Sequence, residues 1–120
     1  MSTWTAAQLR RFGDAPSLVL TAGASGERVE LGMVVVGGDV FVRAFRGEGS
    51  LWYRAAVAHR SGSVVVGDDR FEVGYEPAAG DDDAIEAAYR ERYGSTAAMV
   101  ATPEARAATL RIVLVAPTRE

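Results

Sequence analysis

Several residue types that carry common protein chemistry are absent or scarce in this 120-residue chain. It has no cysteine, which excludes disulfides, thiolate metal sites and thiol catalysis. It also has no lysine, because all 13 basic residues are arginines, and this excludes Schiff-base chemistry. The single histidine, His59, would have to serve any Ser-His-Asp hydrolase, and no G-x-S-x-G motif presents a serine to it. A zinc site built from histidine and cysteine is excluded for the same reason.

Long apolar runs and clusters of positive charge are absent as well. No run approaches the roughly 18 residues that a membrane-spanning helix needs, and the first residues do not resemble a signal peptide. The net charge is −3 and the arginines are spread along the chain, which argues against a nucleic-acid partner. We therefore expect a cytoplasmic protein with neither a membrane nor a nucleic-acid partner. The acidic run Asp81-Asp82-Asp83 is better explained by capping of a helix start than by a metal site.

The pattern of apolar residues predicts one α+β domain that covers residues 1–120. A hydrophobic content of 48% suits a single core. Short strands with tight turns favour a small, mainly antiparallel split β-barrel, because closure removes exposed sheet edges. We expect a short N-terminal helix at 3–13, strands at 17–21, 28–36 and 40–46, a helix or helical turn at 51–58, a hairpin of 63–66 and 70–75, one long helix near the C-terminus at 81–93, and a closing strand at 109–115.

The strand at 40–46 places a charge among aromatic residues. Side chains alternate along a strand, so Phe41, Arg43 and Phe45 share one face. An unpaired arginine in a core is very unfavourable. Arg43 must therefore reach either an internal carboxylate, such as Glu30 or Glu72, or a bound anion.

The strand leads into a glycine-rich loop with further candidate ligands. Arg46 stands at the strand end, and a guanidinium donates two hydrogen bonds to a phosphate. Trp52 and Tyr53 suit stacking on a planar ring, anchoring of the core, or a dimer interface. Arg54 either stacks or forms an ion pair.

Two further patterns concern surfaces. Large aromatic residues near loops and strand ends predict an apolar patch and hence a homodimer: Trp4, Phe41, Phe45, Trp52 and Tyr53. On the helix at 81–93, an apolar stripe faces the core, while Glu86 and Arg90 have the spacing of an ion pair on the solvent side.

Several motifs together resemble those of a bacterial family of unknown function with about this length. They are S-L-W-Y-R at 50–54, a G-S-V-V-V-G hairpin, D-A-I-E-A-A-Y-R-E-R-Y-G at 83–94 and T-L-R-I-V-L-V at 109–115. That family in turn resembles the split-barrel class of pyridoxamine-phosphate oxidases and deazaflavin-dependent nitroreductases. The nitroreductases have a T-T-G-x-x-S-G hairpin and a W-Y pair, where this chain has Thr21, Gly23, Ser25 and Gly26, and later Trp52-Tyr53.

The resemblance implies an FMN or deazaflavin cofactor in a cleft between two subunits, with hydride transfer to a small acceptor. Ala24 stands where a basic residue is expected, so arginines elsewhere must hold the phosphate. The implied cofactor-binding residues are Thr21, Ser25, Arg43, Arg46, Ser50, Trp52, Tyr53 and Arg54. The alternative is a non-enzymatic domain that binds a small anionic ligand or a protein partner.

Overall fold

The structure, a computed structural model, describes residues 4–23, 28–78 and 82–115. Its centre is a curled, seven-stranded antiparallel sheet in the form of a half-barrel, with the strand order β2-β1-β5-β6-β7-β4-β3. This confirms the expected α+β domain with mainly antiparallel strands. The strands are β1 (Leu18–Ala22), β2 (Arg28–Leu31), β3 (Val34–Val36), β4 (Asp39–Arg43), β5 (Ser61–Val66), β6 (Asp69–Pro77) and β7 (Thr109–Leu114).

Four α-helices accompany the sheet in the described residues: α1 (Ala6–Asp14), α2 (Leu51–His59), α3 (Asp82–Tyr93) and α4 (Pro103–Ala107). Helix α1 begins later than expected because Thr5 and Gln8 cap it reciprocally, each side chain accepting the other's backbone N–H. The longest helix, α3, lies where it was predicted, but it does not end the chain. A 3-10 segment (Gly94–Val100), α4 and β7 all follow it, so the long helix has nearly the predicted bounds but lies in the middle of the chain rather than near the C-terminus. Asp81 and the Asp82 side chain lie outside the described part, and so does their predicted capping role.

The two edge strands of the sheet follow one another directly along the chain. We predicted one strand over 28–36, but Gly32 and Met33 interrupt it, so β2 pairs with β1 whereas β3 pairs with β4. The three residue steps from Leu31, the end of β2, to Val34, the start of β3, span about 11 Å at most. The sheet must therefore curl until its opposite edges approach each other at this corner. A Cβ on Gly32 would lie 2.8 Å from the Tyr93 hydroxyl, so glycine is needed here.

Helix α3 fixes this corner through its last two residues. The Tyr93 hydroxyl accepts the Met33 N–H and donates to the Met33 carbonyl, both at 3.0 Å. Arg92 donates to the same carbonyl at 2.9 Å, to the Phe12 carbonyl at 2.6 Å, and to the Ala15 carbonyl. One helix end thus joins both sheet edges to the end of α1.

The main core fills the inside of the curled sheet. Alternating residues of five strands are buried there, among them Leu18, Leu20, Val40, Val42, Val64, Val66, Val73, Tyr75, Leu110 and Ile112. The Trp4 indole N–H donates to the Ile112 carbonyl at 2.9 Å and its ring packs on Phe12, so the segment before α1 joins this core. The predicted aromatic surface patch is therefore mostly wrong, because Trp4, Phe41 and Tyr53 are all buried.

A second, smaller core lies between α3 and the outer face of β4. Ile85 and Tyr89 of α3 pack there with Val34, Phe41 and Ala97. Because the other face of β4 contributes to the main core, this strand is buried on both sides. The predicted alternation is confirmed for Phe41 and Arg43, and it directs Arg43 toward α3. The strand ends at Arg43 and not at residue 46 as predicted, so Phe45 lies in the turn that follows it.

Candidate functional site

Arg43 lies in a buried network of charges and hydrogen bonds. Its side chain has no solvent exposure, its Nε donates to Thr109 Oγ1 at 3.0 Å, and its Nη1 lies 3.8 Å from Glu86 Oε1. Arg106 donates to both Glu86 oxygens, at 2.5 and 2.8 Å. The Thr109 hydroxyl in turn donates to the Arg106 carbonyl at 2.8 Å. In this structure Arg43 therefore faces an internal carboxylate, and its side chain is closed off from solvent.

That carboxylate is Glu86, not the Glu30 or Glu72 suggested by the sequence. The expectation that Glu86 pairs with Arg90 on the solvent side of α3 was wrong, since Glu86 is 8% exposed and turns toward the sheet. The physical reason is the cost of desolvating Arg43, which a nearby counter-ion offsets.

A groove of about 590 Å³ lies where the end of β4, the start of β2 and the start of α2 meet. This volume lies in the range of small-molecule sites. The predicted residues Arg46, Ser50 and Trp52 come together here. The described residues that line it are Arg28, Val29, Phe45, Arg46, Gly49, Ser50, Leu51 and Trp52.

Two arginines give this groove a positive charge. Arg28 and Arg46 are both exposed, and neither forms an ion pair with any carboxylate in residues 4–23, 28–78 and 82–115. The Arg46 guanidinium lies 5.6 Å from the centre of the Phe45 ring. An anion that entered the groove would therefore meet two guanidinium groups without having to displace an internal carboxylate.

The start of α2 adds hydrogen-bond donors to the same groove. Ser50 is the N-cap residue, yet its side chain makes no hydrogen bond to the helix. An N-cap serine usually accepts a first-turn N–H, so the Ser50 hydroxyl is available to a ligand. The first-turn amides of a helix favour anions because they carry unsatisfied N–H groups and the positive end of the helix dipole.

Tyr53 and Arg54 follow Trp52 but do not line the groove. Tyr53 is a buried core residue, and its ring meets that of Trp52 edge-on at 6.1 Å. Burial, and then the charge of Glu48, raises the pKa of Tyr53. Arg54 is exposed elsewhere on α2. The position of Tyr53 therefore supports its role as an anchor of the core.

The hairpin residues of the resemblance are only partly described. Thr21 is half-buried on β1, directly opposite Arg28 on β2, and its carbonyl accepts the Tyr75 O–H at 2.7 Å. Side chains of opposed residues share one face of a sheet. Thr21 therefore neighbours the groove without lining it, while Ser25 lies outside the described residues.

Sequence analysis missed Arg28 and Leu51 as groove residues, and it treated Phe45 only as a strand or patch residue. The position of Arg28 could have been predicted from the sequence. It is the first basic residue after the glycine-serine turn, and it begins the strand that pairs with the one containing Thr21. Nothing in the sequence indicated Leu51, because its 68% exposure depends on where α2 packs in the fold.

The groove is equipped to bind rather than to transfer protons. Among the described residues that line it there is no carboxylate and no histidine, and an arginine guanidinium is a poor proton donor. His59 is exposed, and its ring lies against Gly23. Burial raises the pKa of Tyr75 and of Tyr89, so both stay protonated at neutral pH.

Two further features are absent from the part of the chain that the structure describes. No group of three or more histidine, aspartate or glutamate side chains is arranged there to hold a metal ion. None of the described helices has the length and apolar character that crossing a membrane would require.

The fold and the groove define a class, that of a small antiparallel half-barrel with a cationic, aromatic-walled surface groove. Within it, the chain belongs to the bacterial family described as "Uncharacterized protein conserved in bacteria (DUF2255)", whose family model matches residues 9–112. This match includes every residue that lines the groove and confirms the resemblance to such a family. A search of curated proteins found no match. The relation to the split-barrel reductases stays a prediction.

Proposed function

We propose that the groove binds a small phosphorylated ligand with a flat ring, and that this ligand is FMN or a deazaflavin. The observation that supports the proposal is that Arg28 and Arg46, without carboxylate partners in the described chain, share one groove with Trp52. Guanidinium groups bind phosphate through paired, charge-assisted hydrogen bonds. An indole ring offers a face on which a planar heterocycle stacks.

The roles in this proposal follow from what each side chain offers. Arg28 and Arg46 hold the phosphate, and the Ser50 hydroxyl with the first turn of α2 adds hydrogen bonds. Phe45 and Trp52 form the aromatic walls. A flavin or deazaflavin supplies hydride chemistry when bound, so the protein needs only to bind it, orient it and set its surroundings. A groove whose described residues include no acid and no base is compatible with such an oxidoreductase of the split-barrel class.

A non-enzymatic domain is the second candidate function. Phe45 is 50% exposed and Leu51 is 68% exposed at the rim of the groove, which suits a covering protein surface as well as a ligand. In this case the groove binds an anionic molecule or a partner without redox chemistry. We also propose a cytoplasmic homodimer in which the second copy covers this rim.

The decisive experiment identifies what the purified protein binds. We expect mass spectrometry of the released small molecules to find FMN or a deazaflavin, and calorimetric titration of the ligand-free protein to give saturable binding. Arg28→Ala and Arg46→Ala should each weaken FMN binding about tenfold or more, the effect of one lost hydrogen bond to a charged group. Neither change should alter the melting temperature appreciably, because both side chains are exposed.

Arg54→Ala is the matched control, since Arg54 is an exposed arginine on α2 outside the groove. An equal loss of affinity in this variant would show that the groove is not the site. Binding of inorganic phosphate but of neither flavin would favour the non-enzymatic candidate. Absence of binding to all three compounds would refute both ligand-binding proposals.

A further inference from the structure

A second cavity, of about 310 Å³, lies on the other side of Phe45, which lines both spaces. Most of its wall is apolar and comes from Leu31, Phe45, Ala97 and Met99, with the ring of Tyr89 between them. Met99 is 54% exposed at the mouth. A volume near the lower limit for ligand pockets suits a molecule with a single ring.

The charge of this cavity is opposite to that of the groove. Arg43 belongs to its wall, but the Arg43 side chain has no exposure and lies beside Glu86. Glu30 on β2 is exposed and accepts a hydrogen bond from Ser17 at 2.6 Å through one of its two oxygens. Within residues 4–23, 28–78 and 82–115, no arginine pairs with Glu30. The accessible charge of the cavity is therefore a carboxylate.

We propose that this cavity is a second binding site and that it takes a small aromatic amine. The ring lies against Leu31, Phe45 and Met99, and the ammonium group meets the second oxygen of Glu30. An anionic compound of the same size is disfavoured by the same carboxylate. This site does not depend on what fills the groove, because Phe45 is the one residue in the described part of the chain that lines both spaces.

The test is an NMR titration of the full chain with three compounds of closely similar size and different charge: phenethylamine, 2-phenylethanol and phenylacetate. We expect saturable shifts at the amides of Leu31, Thr96 and Ala97, with the amine binding most tightly and the acid most weakly. Glu30→Gln keeps the size of the side chain and removes its charge. It should weaken amine binding about threefold, as for an exposed ion pair, and leave the alcohol unchanged.

Blocking the cavity supplies the second part of the test. Met99→Trp should fill the mouth and abolish saturable binding, whereas Ala98→Trp, also an exposed position of the same 3-10 segment, does not line this cavity and should preserve it. Arg46→Ala should preserve it too. The proposal is overturned if no compound saturates, if the acid binds as tightly as the amine, or if Ala98→Trp is as damaging as Met99→Trp. If Met99→Trp does not fold, the Glu30→Gln comparison alone decides.

Discussion

Glu86→Ala removes the carboxylate that the buried guanidinium of Arg43 faces. The Arg43 side chain is fully enclosed, and the Glu86 side chain is 9% exposed, so water cannot easily replace the lost charge. Removal of one partner of a buried ion pair typically destabilises a protein by about 3–5 kcal/mol. Arg43 keeps its hydrogen bond to Thr109 and Arg106 turns to solvent, which places the expected loss near the lower value, about 3 kcal/mol.

The measurement is thermal and urea unfolding beside a matched control. For a domain of this size, about 3 kcal/mol corresponds to a fall in melting temperature of roughly 12 °C. Glu72→Ala is the control, because Glu72 pairs with Arg70 where both side chains are about two-thirds exposed. Such a pair contributes about 1 kcal/mol at most.

The double variant Arg43→Met/Glu86→Leu tests the cause of this effect. Replacing both charges by apolar groups of similar volume should recover most of the stability, since neither buried charge then remains. A Glu86→Ala loss no larger than that of Glu72→Ala would refute the reasoning, because it would show that Glu86 does not neutralise Arg43. Failure of the double variant to recover would instead show that packing, not charge, is the main contribution of the pair.

Four further outcomes are expected. Ile85→Ala should destabilise by about 2–5 kcal/mol in urea unfolding, because Ile85 is 2% exposed in the second core, and a loss under 1 kcal/mol would contradict that packing. Gly32→Ala should lower the melting temperature because the added Cβ crowds Tyr93. Gly37→Ala is the comparison: its Cβ meets no neighbour, so any fall in melting temperature there comes only from the positive φ of residue 37. Tyr75 and Tyr89 should ionise only well above the ordinary pKa of 10, so that folding stability declines as pH rises beyond 10; tyrosinate absorbance that follows four ordinary tyrosines in the folded protein would contradict this. Light scattering should give twice the 12.7 kDa chain mass, and a monomer at micromolar concentrations would rule out the homodimer.

The sequence predicted the helices and strands in which the spacing of apolar residues and the residues that end the element indicate the same structure. The strand alternation around Arg43, the helix with Ile85 on its apolar face, and the hairpin of β5 and β6 all appear close to where they were expected. The break at Gly32–Met33 was missed because apolar residues continue on both sides of it. The segment 94–108 was missed because 3-10 turns and a five-residue helix show no clear period.

Side-chain partners were harder to predict than elements. Glu86 and Arg90 are four residues apart, which is the usual spacing of an ion pair on the solvent face of a helix. Only the packing of α3 against β4 shows that Glu86 faces Arg43 instead. The groove shows the same limit. Arg46, Ser50 and Trp52 are close in sequence and were found, whereas Arg28 joins them only because the hairpin places β2 beside the start of α2. Contacts between distant segments depend on tertiary packing, which local patterns do not contain.

The position of β7 between β6 and β4 has a consequence for folding kinetics. Within the residues that the structure describes, β3 and β4 are hydrogen-bonded to the other strands only through β7, whose Leu110 pairs with Val42 across 68 positions of sequence. Early hairpins can form on their own, but the two halves of the sheet cannot join until β7 enters between them. Non-local pairing of this kind slows folding, because the entropy of closing a long loop is lost before the contacts form. Until that insertion, unpaired edges of β6 and β4 are open to other chains, which makes this step the one most exposed to aggregation.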